Sequence, residues 1–229
     1  ADYARVARQK LDCWLREMTS EKGAFYSTRD ADSEGAEGKF YVWTPEQIAA
    51  ALPGDGDAKL IMEHFGVTAA GNWAESPVAH GSVLAIAEPV EALAARHGET
   101  VERMQERIDG LLGQLREARG RRVPPLLDDK VLTSWNGLMI SALAVCGRLL
   151  REPRYLEAAH RGMGFLLTEH MAGGQRLLRV SREKGGRRDA ECGMVAAKEA
   201  GGSAGSAHTD GFLEEHAYLL NGLRDLVDA

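Results

Sequence analysis

Apolar residues recur at helical spacing through much of this chain and at strand spacing in only a few short stretches. Tyr3, Val6, Ala7, Leu11, Trp14, Leu15 and Met18 follow an i, i+3, i+4, i+7 pattern that predicts an amphipathic helix, closed off by Gly23. Val101, Met104, Ile108, Leu111, Leu112 and Leu115 mark one stripe of a long helix, with Arg, Glu and Gln on its other sides. Pro124 and Pro125 stop any continuation. Residues 134–150 are apolar on nearly every side, which predicts a helix buried all round. Further helices are expected at 57–65, 154–171 and 211–229. Thr44-Pro45-Glu46-Gln47 opens another: Thr44 caps, Pro45 takes the first turn, and Gln47 stands three after the cap.

Residues 24–28 and 39–43 are rich in aromatic and β-branched side chains and flank the polar stretch 30–38. That pattern predicts a long-looped β-hairpin, and 177–180 predicts a short strand. Residues 66–87 read as irregular. Residues 183–208 are Gly-rich without periodicity and read as a flexible insertion.

The helices repeat one another. Tyr3, Ala7, Leu11, Leu15 and Glu17 recur as Tyr155, Ala159, Met163, Leu167 and Glu169, and Trp135-Asn136-Gly137-Leu138 recurs loosely as Leu220-Asn221-Gly222-Leu223. Amphipathic helices alternating with apolar ones, punctuated by short β-hairpins, form the pattern of a ring of α-hairpins. The fold class expected is all-α, an (α/α) toroid spanning 1–229.

Composition narrows the function classes. At 44% hydrophobic and 27% charged the chain is an ordinary globule, and its net charge of −6 argues against nucleic acid as a partner. The basic clusters 116–122 and 182–188 read as solvated surface. Cys13, Cys146 and Cys192 are few and far apart, without metal-ligand spacing, which points to a reduced, cytoplasmic setting and to no metal. No phosphate-binding Gly-rich loop is present, so no cofactor is expected. No apolar run is long enough to span a membrane. The chain opens inside one helical pattern and closes in another, and so reads as a stretch of a longer protein.

Three segments carry a resemblance. They are Gly23-Ala24-Phe25-Tyr26-Ser27-Thr28-Arg29-Asp30-Ala31-Asp32-Ser33-Glu34-Gly35 running on to Gly38-Lys39-Phe40-Tyr41-Val42-Trp43-Thr44, then 128–144, then Gly211-Phe212-Leu213-Glu214-Glu215-His216-Ala217-Tyr218. Together they resemble the thioredoxin-domain proteins named after spermatogenesis-associated protein 20. The resemblance implies an N-terminal thioredoxin-like domain, lying outside this chain and a natural partner for it. It also implies an (α/α) toroid similar to six-hairpin glycosidases and sugar 2-epimerases, here incomplete. The Gly-rich insertion is longer than the family's pattern, and His216 stands where the family tends to have Tyr.

On that fold, the loops entering the inner helices line a central cavity and bring carboxylates together: Asp30 and Asp32, Asp128 and Asp129, Glu214 and Glu215. Glycoside cleavage needs one carboxylic acid and one carboxylate, roughly 6.5–9.5 Å apart in inverting enzymes. Asp129 and Asp32 suit those roles, with Asp128 and Asp30 beside them. Trp135 or Trp43 would stack on a sugar ring, and Asn136, Lys130, Glu214 and His216 complete the substrate-binding set. A sugar is therefore the expected ligand.

Two alternatives stay open. In one, the acids are structural, with Asp128 capping a helix or pairing with Lys130, and the toroid is a scaffold for the thioredoxin-like domain. In the other, a histidine serves proton transfer in an epimerase: of His160, His170, His208 and His216, the first two lie in or at the end of an outer helix and read as surface or packing residues, and His216 is the better placed. A calcium-loop reading of 30–41 fails at its twelfth position, where Tyr41 replaces the bidentate Glu.

Overall fold

The computed structural model describes residues 2–54, 56–172, 176–182 and 210–229, so the insertion expected at 183–208, with Cys192, lies outside the described residues. The chain is mostly α-helical with small two-stranded pairs. It divides into two compact units, one formed by Ala1–Thr28 with Leu127–Ala229, the other by Arg29–Leu126. The helices are α1 (Asp2–Glu17), α2 (Pro45–Ala51), α3 (Asp57–Phe65), α4 (Val90–His97), α5 (Val101–Arg119), α6 (Thr133–Leu150), α7 (Pro153–Phe165) and α8 (Leu213–Val227). Among the described residues no helix is long and apolar enough to cross a membrane.

In the first unit α6 is the central element, packed against α7 and α8. Ile140, Leu143 and Ala144 of α6 are buried with Tyr155, Ala159 and Met163 of α7. Glycines set how closely these elements approach. A Cβ on Gly137 would lie 2.4 Å from the Tyr218 carbonyl oxygen of α8, and one on Gly147 would lie 2.7 Å from the Leu156 side chain of α7. The helix α7 then opens into a π-helical turn, Leu166–His170, so the helix expected at 154–171 forms with a change of winding at its end.

The expectation that α6 is buried all round is corrected. Trp135 is 52% exposed, Leu138 45% and Leu149 70%. α7 and α8 cover the sides of α6 that carry Ile140 and Gly137, and the Trp135–Leu149 side is left outside that contact. The sequence echo is also only partial, because Tyr155 is buried whereas Tyr3 is exposed.

Tyr155 gives this unit a titratable core. Its hydroxyl donates to Asp12 of α1 at 2.9 Å. Burial, then the Asp12 hydrogen bond and charge, push its pKa up to about 12. A phenol whose folded pKa is raised contributes stability that is complete below its unfolded pKa near 10 and is lost as pH rises through 12. Thermal melts should therefore fall steeply between about pH 10 and 12, and Tyr155→Phe should flatten that fall while lowering the neutral-pH melting temperature.

In the second unit α2 to α5 enclose Ile48, Leu52, Leu60, Ile61, Leu93, Met104 and Ile108. The capping box before α2 forms as expected: Thr44 Oγ1 accepts the Gln47 N–H at 3.3 Å and Gln47 Oε1 accepts the Thr44 N–H at 3.1 Å. The hairpin does not form as expected. Its arms belong to different units, and the paired strands are instead Asp32–Ser33 with Ala36–Glu37. Glu34 and Gly35 join them with φ of 54° and 74°, the doubly left-handed turn that suits the strands' twist. The aromatic arms are drawn into cores: Phe25 is buried in the first unit, and Phe40, Val42 and Trp43 are buried in the second.

The basic cluster at 116–122 is not simply solvated surface. Arg122 lies over the Trp43 ring at 4.1 Å and donates to the carbonyls of Phe40 and Val42. Arg119 lies over Phe40 at 5.2 Å.

Candidate functional site

The short strand Lys130–Leu132 leads straight into α6 and pairs antiparallel with Val180–Arg182, in register Lys130↔Arg182 and Val131↔Ser181. That register fixes the charges. Arg182 reaches Asp129 at 2.8 Å and Asp128 at 3.4 Å, while Lys130 Nζ holds the other oxygen of Asp128 at 2.9 Å. Burial pushes the Asp128 carboxyl upward, but the hydrogen bonds and charge of Lys130, joined by Arg182, outweigh it and hold the pKa below the usual carboxylate range. Asp128 is thus an anion and an acceptor near neutral pH. Trp135 presents its half-exposed indole from the first turn of the helix that follows.

Asn136 is committed to the fold. It is 1% exposed, its Oδ1 accepts the Phe25 N–H at 2.8 Å, and its Nδ2 donates to the carbonyls of Phe25 and Leu132, both at 2.9 Å. The substrate-binding role expected for it has no amide atom left over for a ligand.

Behind the charged strand lies a buried polar chain. Thr133 Oγ1 donates its one proton to the Leu178 carbonyl at 2.5 Å, so it accepts from His170 Nδ1 at 2.6 Å. The ring's Nε2 faces Ser181 Oγ at 2.6 Å. His170 is fully buried, so of the surface and packing roles expected of it the packing one holds.

Glu214 and Glu215 open α8. Glu215 is buried and accepts the Phe212 N–H at 2.8 Å, with Arg179 Nε 3.8 Å from its second oxygen. Glu214 is exposed and 3.6 Å from the same guanidinium. His216 donates Nδ1–H to the Phe212 carbonyl at 2.9 Å and is exposed.

Asp30, Asp32 and Trp43 belong to the second unit. The Asp32 N–H donates to Asp30 Oδ1 at 3.3 Å, a local turn, and both acids are exposed. Trp43 is 4% exposed beneath Arg122, so its ring face is already taken. Within the first unit the structure does assemble Asp128, Asp129 and Lys130 beside the helix bearing Trp135.

No family model matches the chain. Human spermatogenesis-associated protein 20 is 33% identical over 99% of this chain, and its mouse counterpart is 32% identical over the same share. An uncharacterized protein of Caenorhabditis elegans is 32% identical over 67% of the chain. The chain belongs to the spermatogenesis-associated protein 20 family. It spans about 30% of the length of the mammalian relatives it matches.

For this family member the sequence does not reveal the roles of Arg182 and Arg179 or the partnership of His170 with Ser181. Arg182 was set aside with a basic cluster. The strand expected at 177–180 is split in the structure between Arg176–Leu177 and Val180–Arg182, and the second of these pairs with Lys130–Leu132, which brings Arg182 beside the acids.

Proposed function

We propose that this chain contributes a carbohydrate-binding surface to an (α/α) toroid in a longer protein, centred on Asp128, Asp129, Lys130, Arg182 and Trp135. The observation that carries the reading is the half-exposed Trp135 indole at the start of α6, immediately after a strand whose paired charges offer both donors and acceptors. An aromatic face beside ionised hydrogen-bonding groups suits a sugar ring, with C–H groups on the indole and hydroxyls on the charges. Binding is favoured over cleavage. A glycosidase acid must hold a proton near neutral pH; Asp128 is held ionised by Lys130 and Arg182, and Asp129 is ion-paired with Arg182 at 2.8 Å. Apolar helices joined by close glycine contacts, as between α6 and α8, support the toroid arrangement.

Thermal unfolding in the presence of neutral, amino and uronic sugars tests this, because a ligand of the folded state raises the melting temperature. One sugar class should raise it, the rise should vanish in Trp135→Ala, and Asp129→Asn should weaken it. A second reading has its own support: Asp128 and Asp129 are already matched by Lys130 and Arg182. On that reading the segment is structural and the toroid positions the thioredoxin-like domain. A melt unmoved by every sugar would favour it.

A further inference from the structure

The second unit treats aromatic faces as cation seats. Arg122 lies over Trp43, and Arg119 lies over Phe40 and, at 5.5 Å, over Tyr41. Trp73 is the exception among the tryptophans of this unit: no cation lies over its ring among the described residues. It lines a pocket of about 510 Å³ within the unit, together with Tyr41, Glu37, Val42, Val83 and Ala85. The Trp73 ring is pressed against the Gly38 backbone, where a Cβ would come within 2.6 Å of it, and Gly38 has φ of 73°. Only glycine permits both the left-handed backbone and that approach. Asn72, which also lines the pocket, exchanges two 2.8 Å hydrogen bonds with the Val83 backbone.

Among the described residues that line this pocket the one charged side chain is an acid, Glu37. Asp32 and Glu37 stand directly across from each other in the paired strands. Like charges so placed destabilise a hairpin. Neither carboxylate has an ion-pair partner among the described residues, whereas Glu34 beside them is matched by Lys39 at 3.0 Å. A half-buried indole without a cation, aliphatic walls and an unmatched carboxylate therefore share one pocket. We propose that this pocket binds an alkylated ammonium group, its methyls against Val42, Val83 and Ala85, its charge on the Trp73 face and near Glu37. A desolvated cation on a π-face is attracted by the ring quadrupole, and tryptophan is the strongest such partner. Arg119 already occupies Tyr41, so Tyr41 acts as a wall and Trp73 as the seat. The site is independent of the carbohydrate reading.

The test is a titration of the whole chain with (2-hydroxyethyl)trimethylammonium and with its neutral carbon isostere 3,3-dimethylbutan-1-ol, at constant ionic strength, following the Trp73 indole N–H by NMR. The ammonium should shift that resonance saturably and the neutral isostere should not. Glu37→Gln, an exposed change that leaves the core untouched, should weaken binding about five- to tenfold. Trp73→Phe should weaken binding while keeping the fold and Trp73→Ala should abolish it, both read on the backbone amide of Gly38, which lies against this ring. Equal binding of the neutral isostere, no effect of Glu37→Gln, or no movement of Trp73 at millimolar ammonium would each overturn the proposal.

Discussion

Asn136→Ala is expected to lower the stability of the chain by about 3–4 kcal/mol, more than any other single polar substitution here. The amide is 1% exposed and closes three hydrogen bonds, each 2.8 or 2.9 Å long. Alanine would strand the Phe25 N–H, the Phe25 carbonyl and the Leu132 carbonyl in a place water reaches poorly. Each such buried orphan costs about 1–3 kcal/mol, and partial relaxation keeps the sum below the arithmetic total. Asn136→Asp should be no better, because it keeps the acceptor for Phe25 but turns an anionic oxygen toward two carbonyls. Urea unfolding with an unchanged slope would measure the loss directly. A cost under about 1 kcal/mol would mean that the amide is not the pin between the segment at Phe25 and the start of α6.

The second large effect lies one residue further on. Gly137→Ala is expected to cost about 2 kcal/mol even though alanine favours a helix over glycine by about 1 kcal/mol. The new Cβ would sit 2.4 Å from the Tyr218 carbonyl oxygen and 2.9 Å from the Leu219 nitrogen, all backbone, so no rotamer change relieves it. α6 and α8 must separate instead, and their shared packing of Ile140, Leu219 and Leu226 loosens with them. Gly222→Ala strains the same crossing from the other side, with its Cβ 2.7 Å from the Gly137 carbonyl oxygen. The double variant should therefore cost less than the sum of the two. Gly164→Ala in α7 is the internal control. Its Cβ meets nothing within 4 Å, and the change should stabilise by up to about 1 kcal/mol. If Gly137→Ala and Gly164→Ala moved the melt in the same direction, the close-approach account of α6 and α8 would be wrong.

These two residues also mark how far the sequence could be read. Trp135-Asn136-Gly137-Leu138 and Leu220-Asn221-Gly222-Leu223 were visible as an echo. Its physical meaning, that Gly137 and Gly222 touch, needs the helix crossing and so was not. Helices with local signals were legible: the Thr44–Gln47 capping box and the stripe of α5 are spelled out within a few residues. Elements decided by distant partners were not. The arms at 24–28 and 39–43 have strand composition, yet their aromatic residues are claimed by separate cores. The helix α4 carries too short a pattern to stand out between Ala87 and Val101.

The candidate site divides in the same way. Asp128, Asp129 and Lys130 could be singled out because they crowd the entrance to an apolar helix. Their neutralisation by Arg182, more than fifty residues away, could not. Trp43, expected to stack on a sugar ring, is buried under Arg122, while Trp73, in a stretch without periodicity, lines the pocket. His170, at the end of a helical pattern, reads in sequence as a surface or packing residue, because its two hydroxyl partners come from distant segments, Thr133 and Ser181.

The chain has four tryptophans, Trp14, Trp43, Trp73 and Trp135, and so four indole N–H resonances. Following them by NMR while titrating neutral, amino and uronic sugars is the most direct measurement. Saturable movement of Trp135 with one sugar class, with Trp43 unmoved beneath Arg122 and the effect reduced in Asp129→Asn, is the result expected of a carbohydrate surface at the start of α6. A Trp135 resonance that stays in place with every sugar, in a chain that melts cooperatively, would contradict it.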